Sequence, residues 1–196
     1  MFKSFRSFKL ILSAILVLLL SACANLQLPV VNGQLTPAAG QGLAIIGLTA
    51  QSFNNDSASA NLVLQGPSGN ISLYTRLVTD FIRAPGDTPN ATGKLFVVPL
   101  LPGQYRVVAA EGQWRRDSAN LMMNMYQYVT VPLNLPFQVK AGEVVYLGDV
   151  HLNMNYDSSV NLNHDRARDF FDLQARHGVS NFNNIAIQPL NRGLSQ

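Results

Sequence analysis

The sequence predicts a mainly β protein: an antiparallel β-sandwich of about seven or eight strands, one C-terminal α-helix, and a last edge strand. Three observations predict this fold. Short runs rich in β-branched and aromatic residues follow one another from residue 43 to residue 155, turns containing Gly and Pro separate them, and a helical pattern replaces them after residue 156. A chain of 196 residues is long enough to bury one substantial core.

The first predicted strand is the apolar run LAIIGLTA, residues 43–50. The runs ANLVLQG (60–66) and NISLYTRLV (70–78) are joined by QGPSG, which predicts a hairpin. Residues 83–93, RAPGDTPNATG, are rich in Pro, Gly and polar residues, so we interpret them as a polar loop.

Further strands are predicted at residues 94–100 and 104–112, on either side of a Leu-Pro-Gly turn, and then at 125–131, 135–140 and 143–155. Side chains alternate between the two faces of a strand. In the last strand the more apolar face, which should point into the core, is formed by Val144, Tyr146, Gly148, Val150 and Leu152. Asp149 and His151 then lie together on the opposite face.

Residues 163–178, NHDRARDFFDLQARHG, predict the helix. Asn163 or Asp165 can cap its start, and Gly178 can end it. One stripe should pack on the sandwich, formed by Ala167, Phe170, Phe171 and Gln174. Asp172 and Arg176 have the spacing of an i,i+4 ion pair. NIAIQPL (184–190) predicts an edge strand, where Pro189 is tolerated.

The chain begins with a basic segment and an apolar run at residues 10–20, followed by small residues. This is the pattern of a secretory signal peptide, and the run is too short for a membrane-spanning helix. Leu20-Ser21-Ala22-Cys23 resembles the lipobox of bacterial lipoproteins. The resemblance implies cleavage between Ala22 and Cys23, and lipidation of Cys23. Ala24 in place of Asp implies the outer membrane of a Gram-negative bacterium. We expect the domain to face the periplasm, with the cell surface as the alternative.

These observations divide the chain into four parts. Residues 1–22 are the expected lipoprotein signal peptide, and 23–42 are the lipidated N-terminus followed by a flexible tether rich in Gly and Pro. Residues 43–155 are the β-sandwich, and 156–196 are the helix and strand packed on it. Three of the 14 basic residues lie in the signal, which leaves 11 against 11 acidic residues. This balance argues against nucleic acid as a partner.

A second resemblance lies in LLPGQYRVVAAEG and FQVKAGEVVYLGDVHL, residues 100–112 and 137–152. The order of strand, Pro-Gly-x-Tyr, aromatic strand, Ala-Gly and VVYLGD is similar to envelope lipoproteins with a transthyretin-like or carboxypeptidase-regulatory-like β-sandwich. That family implies a binding or structural accessory role and brings no catalytic residues to this chain. We therefore expect a protein that is not an enzyme and needs no cofactor.

Four groups of residues are candidates for chemistry or binding. Asp149 and His151 could begin a metal site or a His–carboxylate pair, with His164 and Asp165 as further ligands. Their alternative role is that of ordinary polar residues at a strand end. Asn153, Asn155 and Asp157 alternate as in a calcium loop but lack its Gly and closing Glu.

Methionines at 122, 123 and 125 could bind copper(I), although core or interface packing is the expected role. Trp114, Arg115 and Arg116 have the composition of a partner contact. The Trp could equally stack on the protein's own surface or approach lipid headgroups.

The expected function is that of a lipid-anchored, non-catalytic binding or structural module that contacts another envelope component. The alternative is a lipoprotein that binds a glycan or small ligand through surface Tyr and Trp residues. A hydrolase or metal protein built on Asp149 and His151 is a third hypothesis.

Overall fold

The computed structural model describes residues 28–116 and 125–191. It is a mainly β structure with two principal sheets, a small hairpin and one helix, which confirms the predicted fold class. The strands are β1 (Val30–Val31), β2 (Gln34–Leu35), β3 (Gly42–Gln51), β4 (Ser59–Gly66), β5 (Gly69–Arg76), β6 (Phe81–Ala84), β7 (Thr88–Leu100), β8 (Gly103–Arg116), β9 (Met125–Val139), β10 (Val144–Asn153), β11 (Ser159–Asn163) and β12 (Ile185–Ile187). The helix is α1 (Arg166–His177), and a 3-10 turn spans Asn55–Ser57.

The six-stranded sheet has the order β11-β10-β3-β7-β6, and β12 pairs with the first half of β10 while β11 pairs with its second half. The four-stranded sheet has the order β5-β4-β8-β9. Most neighbours are antiparallel, as predicted, but β10 runs parallel to both β3 and β12. The predicted hairpin of β4 and β5 is present. The strand predicted at 184–190 is the short β12, which lies at the sheet edge.

The interpretation of residues 83–93 as a polar loop is wrong. Only the turn at Pro85–Asp87 interrupts the chain there, and β6 pairs with the first half of β7 from Phe81 to Thr92. Gly86 and Asp87 take positive φ angles of 92° and 60°, the conformation of a tight hairpin turn. Pro89 lies next to a register shift at the edge of the sheet, where its missing N–H is tolerated.

The main core lies between the two sheets. β3 and β10 contribute to it from one side, and β4, β8 and β9 from the other. Its buried side chains include Ile46, Leu48, Leu62, Leu64, Val107, Leu135, Phe137, Leu147 and Leu152. Burying so many apolar side chains stabilises the sandwich without a disulfide.

A second core lies on the other face of the six-stranded sheet, under α1 and the β1–β2 hairpin. It contains Leu35, Leu43, Ile45, Ile82, Val144, Tyr146, Leu173 and Val179. Residues 28–42, expected as part of a flexible tether, are therefore part of the fold from Leu28 onward. Leu35 is fully buried, and the carbonyl of Gly33 accepts hydrogen bonds from the N–H groups of Ser180 and Asn181.

A β-bulge in β10 changes which side chains face the sandwich. The register of β10 against β3 shifts between Tyr146 and Asp149, and Gly148 takes a φ of 87°. The prediction that one alternating set faces the sandwich is right for Val150 and Leu152 and wrong for Val144 and Tyr146, which face the second core. The bulge inserts one residue, so the alternation is inverted across it.

The helix begins and ends as predicted. Asp165 is the N-cap and accepts a hydrogen bond from the Arg168 N–H at 3.0 Å, and Gly178 ends the helix with a φ of 70°. The predicted packing stripe is partly wrong, because Ala167 and Gln174 are exposed. The buried side chains are Arg168, Asp169, Asp172 and Leu173. In residues 28–116 and 125–191, no helix has the length and apolar character to cross a membrane.

Candidate functional site

Cys23 and Ala22, the predicted lipidation and cleavage positions, lie outside the described residues, as do Met122 and Met123. Met125, at the start of β9, is 53% exposed. The other predicted site residues fall in two places, which are the interface between α1 and the six-stranded sheet, and one end of the sandwich.

Asp149 and His151 are brought together by a third residue, Thr49 on the adjacent strand β3. The Thr49 hydroxyl donates to Asp149 Oδ2 at 2.8 Å and lies 2.9 Å from His151 Nδ1. Asp149 is 2% exposed, so it lies inside the protein and not at a solvated strand end. The sequence predicted the shared face of this pair but not the role of Thr49.

The Asp149 carboxylate belongs to a larger buried network with the helix. Arg168 Nη2 lies 3.6 Å from Asp149 Oδ2, and Arg168 Nε donates to Asp169 Oδ1 at 2.7 Å. The Tyr146 hydroxyl donates to Asp169 Oδ2 at 2.6 Å. This network is not among the sequence predictions. Its signal is the helical spacing of Arg168, Asp169, Asp172 and Leu173, which places them on neighbouring parts of one face.

The network shifts the titration of its members. Burial raises the pKa of Asp169 above its ordinary value of 3.8, although the hydrogen bond and charge of Arg168 act against this. Burial also raises the pKa of the Tyr146 phenol, and Asp169 raises it further. Burial acts to lower the pKa of Arg168, but the neighbouring carboxylates Asp169, Asp149 and Asp165 leave it raised. Arg168 is therefore a permanent cation between two buried carboxyl groups.

This arrangement holds the helix on the sheet and does not resemble a metal centre. Within the described ranges, no group of three or more His, Cys, Asp or Glu side chains is placed to hold a metal ion. Asp165, a suggested further ligand, is occupied as the helix cap. Asn153, from the suggested calcium loop, has its Oδ1 accepting from the Asn155 N–H. A carboxylate that is only 2% exposed and already bonded to Thr49 is also poorly placed for general acid–base work on a substrate.

Trp114 is part of β8, and its side chain points into the main core with 8% exposure. Alternation along β8 turns Trp114 inward and its neighbours outward, so most of its side chain lies in the core and only a small part of it is open to a partner. Arg115 and Arg116 are exposed. Both line a shallow groove of about 320 Å³ with Phe53 and Gln127, and part of Trp114 forms its wall.

Two exposed aromatic side chains lie at the same end of the sandwich. Phe53 follows β3 and is 58% exposed, and Tyr156 follows β10 and is 90% exposed. Their rings meet edge-to-face with centroids 4.9 Å apart. We call the surface formed by Phe53, Arg115, Arg116 and Tyr156 the distal end.

The distal end lies opposite the place where the described chain begins. Leu28, Val30 and Leu35 pack in the second core with Leu43 and Val144, at the starts of β3 and β10. Phe53 and Tyr156 follow the ends of these two parallel strands. At roughly 3.3 Å per residue, the eight steps from Leu43 to Gln51 separate the two ends by about 26 Å.

No protein-family model and no curated protein matches this chain. A leucine-rich repeat protein from Bacteroides thetaiotaomicron is similar in structure to part of it, with a TM-score of 0.35 and 16% sequence identity. The similarity covers 60% of this chain and 14% of that protein. At this TM-score the likeness carries no argument about fold or function.

Proposed function

We propose that this protein is a lipid-anchored component of the bacterial outer membrane, and that its β-sandwich is a non-catalytic module that binds another envelope protein through the distal end. The observation that carries the proposal is the position of Phe53, Arg115, Arg116 and Tyr156. They are exposed together at the end of the domain farthest from Leu28, the first described residue after the lipobox-like segment.

The anchoring part of the proposal rests on the sequence. Leu20-Ser21-Ala22-Cys23 follows a basic and then an apolar segment, and a thioether-linked lipid with a second acyl signal gives stable attachment. Four residues separate Cys23 from Leu28, so the anchor and the second core are close along the chain. A domain held this way directs its distal end away from the membrane, towards the periplasm.

The chemistry of the distal end suits a protein partner. Aromatic residues and Arg are the residue types that most often dominate binding energy at protein interfaces. Asn54 donates from Nδ2 to the Arg115 carbonyl, and the Arg115 N–H donates to Ser57 Oγ at 2.9 Å, so the backbone under the arginines is fixed. Neither Arg115 nor Arg116 forms an ion pair within the described part of the chain. Their charges are therefore available to an acidic partner surface.

The proposal is tested by replacing Tyr156 with a photo-crosslinking amino acid in the full lipoprotein and irradiating intact cells. We expect one dominant crosslinked envelope protein. The same amino acid placed at Val31, which is 53% exposed near the start of the domain, is the positional control and should not capture this protein. A Cys23→Ala form should lose membrane attachment and the crosslink together.

Two outcomes would contradict the proposal. If the Tyr156 and Val31 positions capture the same diffuse set of proteins, the distal end is not a binding surface. If the Cys23→Ala form stays in the membrane fraction, the lipid anchor is wrong, whatever the crosslinking shows.

A further inference from the structure

The outer face of the four-stranded sheet carries a groove that no local sequence pattern indicates. Its cavity volume is about 490 Å³. Tyr74 on β5 and Tyr128 on β9 stand at its two sides, 52% and 67% exposed. These strands are the two edges of the sheet, so the groove crosses all four strands over roughly 14 Å, taking three strand spacings of about 4.8 Å.

Strand register places the floor of the groove in two cross-strand rows. Asn61 is opposite Tyr74 on one side and Glu111 on the other, and Glu111 is opposite Thr130. In the adjacent row Ser59 is opposite Gln113, which is opposite Tyr128. The floor is therefore built from amide, hydroxyl and carboxylate groups, and the sides from tyrosine rings.

The floor is held in position by its own hydrogen bonds. Asn61 Nδ2 donates to Glu111 Oε2 at 3.0 Å, and both side chains are half-buried. Asn61 Oδ1 has no hydrogen-bond partner among the described residues. This oxygen is itself buried, so a ligand hydroxyl could complete its bonding only after a small movement of the Asn61 side chain.

One side of the groove is also supported by a neighbouring aromatic ring. Tyr128 has Tyr126 two residues earlier on the same face of β9, with ring centroids 6.5 Å apart. Tyrosine supplies a large rigid contact surface at a small loss of conformational entropy, and it keeps a polar tip. Tyr74, Tyr126 and Tyr128 are thus three exposed aromatic side chains on the solvated face of one sheet.

The composition of the groove selects one class of ligand. No Lys or Arg side chain lines it within residues 28–116 and 125–191, and Glu111 is its one charged lining residue there, so phosphate, sulfate and uronate groups are disfavoured. A purely apolar ligand would leave the polar floor unpaired. A sugar chain has apolar C–H faces for the tyrosines and hydroxyl groups for Asn61, Glu111 and Gln113.

We propose that this groove binds a neutral oligosaccharide laid across the four strands between Tyr74 and Tyr128. The groove shares no lining residue with the groove at the distal end, although Tyr126, opposite Arg115, lies between them, and the proposal does not depend on the protein contact proposed there. The sugar can be free in the periplasm or part of a fixed polymer such as the glycan strands of the cell wall, because both present hydroxyl groups and apolar C–H faces.

The test is isothermal titration of the full lipoprotein, held in micelles of a detergent without a sugar headgroup, with cellotriose, maltotriose and chitotriose. We expect at least one of them to bind with a micromolar to low-millimolar dissociation constant. Tyr74→Ala and Tyr128→Ala should each weaken binding at least about tenfold. Tyr156→Ala, an exposed tyrosine at the distal end, is the matched control and should bind like the unmodified protein.

A second arm distinguishes the two sources of sugar. The same four proteins are sedimented with purified cell-wall sacculi, where binding by the unmodified protein and Tyr156→Ala but not by the groove variants identifies the wall polymer. The proposal is overturned if none of the three trisaccharides binds at millimolar concentration. It is equally overturned if the groove variants bind as tightly as Tyr156→Ala while retaining an unchanged thermal unfolding midpoint.

Discussion

Asp169 is fully buried, and its carboxyl group faces one cation and one phenol. A buried carboxyl group loses hydration, and two hydrogen bonds restore only part of what it loses. The raised pKa of Asp169 shows that burial outweighs the attraction of Arg168. The neighbouring Asp149, 2% exposed, adds a second negative charge to the same region.

The raised pKa of Asp169 makes the stability of the protein depend on pH in a direction that can be measured. Since the pKa of Asp169 in the folded protein lies above the 3.8 of the unfolded chain, the folded state binds more protons in the interval between the two values. Its contribution to stability is therefore fully present below pH 3.8 and is lost as the pH rises through the folded pKa. We expect the stability of the wild type relative to Asp169→Asn to increase as the pH falls from about 7 towards 4. Urea unfolding of both proteins at each pH measures this difference, and a decrease instead would mean that Arg168 dominates over burial.

Gly148 is the residue on which the β10 bulge depends. Its φ of 87° is unfavourable for other residues, and a Cβ there would overlap His164 Nδ1 and lie 2.7 Å from the Asn163 carbonyl oxygen. We expect Gly148→Ala to reduce the free energy of unfolding by about 2 kcal/mol or more.

Gly142→Ala separates the effect of backbone strain from the effect of steric overlap. Gly142 has a similar φ of 75°, but a Cβ there would meet nothing within 4 Å. We expect a loss of only about 1 kcal/mol from backbone strain. Equal losses in the two variants, measured by denaturant unfolding, would show that the contact with His164 and Asn163 has no effect.

At the scale of elements, the helix is attached to the sheet by polar as well as apolar contacts. Tyr146 reaches from β10 to Asp169, and Asp172 Oδ1 accepts from the Arg83 N–H of β6 at 2.9 Å and from Arg176 Nε at 2.9 Å. Phe170 stacks on Phe182 with ring centroids 4.7 Å apart, and it meets Tyr146 edge-on. These contacts specify the orientation of α1, since a rotated helix would leave buried charges without partners.

The hydroxyl of Tyr146 can be tested alone. Tyr146→Phe keeps the ring and its apolar contacts but leaves Asp169 Oδ2 without its donor, so we expect a loss of about 1–3 kcal/mol in the free energy of unfolding. Tyr105→Phe is the comparison, because the Tyr105 hydroxyl donates to the Leu101 backbone carbonyl at 2.7 Å. Its loss leaves no charged group without a donor. A loss no greater than that of Tyr105→Phe, by denaturant unfolding, would contradict the role given to Asp169.

The β1–β2 hairpin is the element that distinguishes a folded N-terminal segment from a tether. Leu35→Ala should cost about 2–5 kcal/mol, since its side chain is fully buried in the second core. Val31→Ala, in the same hairpin but 53% exposed, should change stability by less than about 0.5 kcal/mol. Thermal unfolding of both variants measures the difference. Equal, small effects would mean that residues 28–42 are a tether after all.

At the scale of the whole molecule, β3 and β10 belong to both cores. Ile46 and Leu48 face the sandwich, whereas Leu43 and Ile45 face the helix side. One sheet thus forms a layer between two apolar interfaces, and neither interface can be lost without exposing the other face of the same strands. The molecule is expected to unfold as one cooperative unit.

The position of Trp114 allows this cooperativity to be tested. It is the single tryptophan of the chain and lies in the sandwich core, whereas α1 lies on the opposite side of the sheet. Denaturation followed by Trp fluorescence and by helical circular dichroism should give the same midpoint. Loss of the helix signal at lower denaturant would show that α1 and the second core unfold separately.

The sequence by itself determined the elements whose signals are local. The hairpin of β4 and β5, the caps Asp165 and Gly178, the Asp172–Arg176 pair and the mainly β class all follow from turn chemistry and periodicity, which act over a few residues. Only the tertiary structure decided which faces were buried. One bulge at Gly148 inverted the alternation of β10, and parallel pairing with β3 brought Thr49 to Asp149.

The functional surfaces depend on the same long-range contacts. Whether Tyr74 and Tyr128 share one sheet face is set by pairing and register between strands far apart in the chain. The alternation within one strand restricts its register but does not identify the strand beside it, so the sequence could not bring these two tyrosines together. The lipobox-like segment, in contrast, is recognised from the sequence alone, since Leu20 to Cys23 are contiguous.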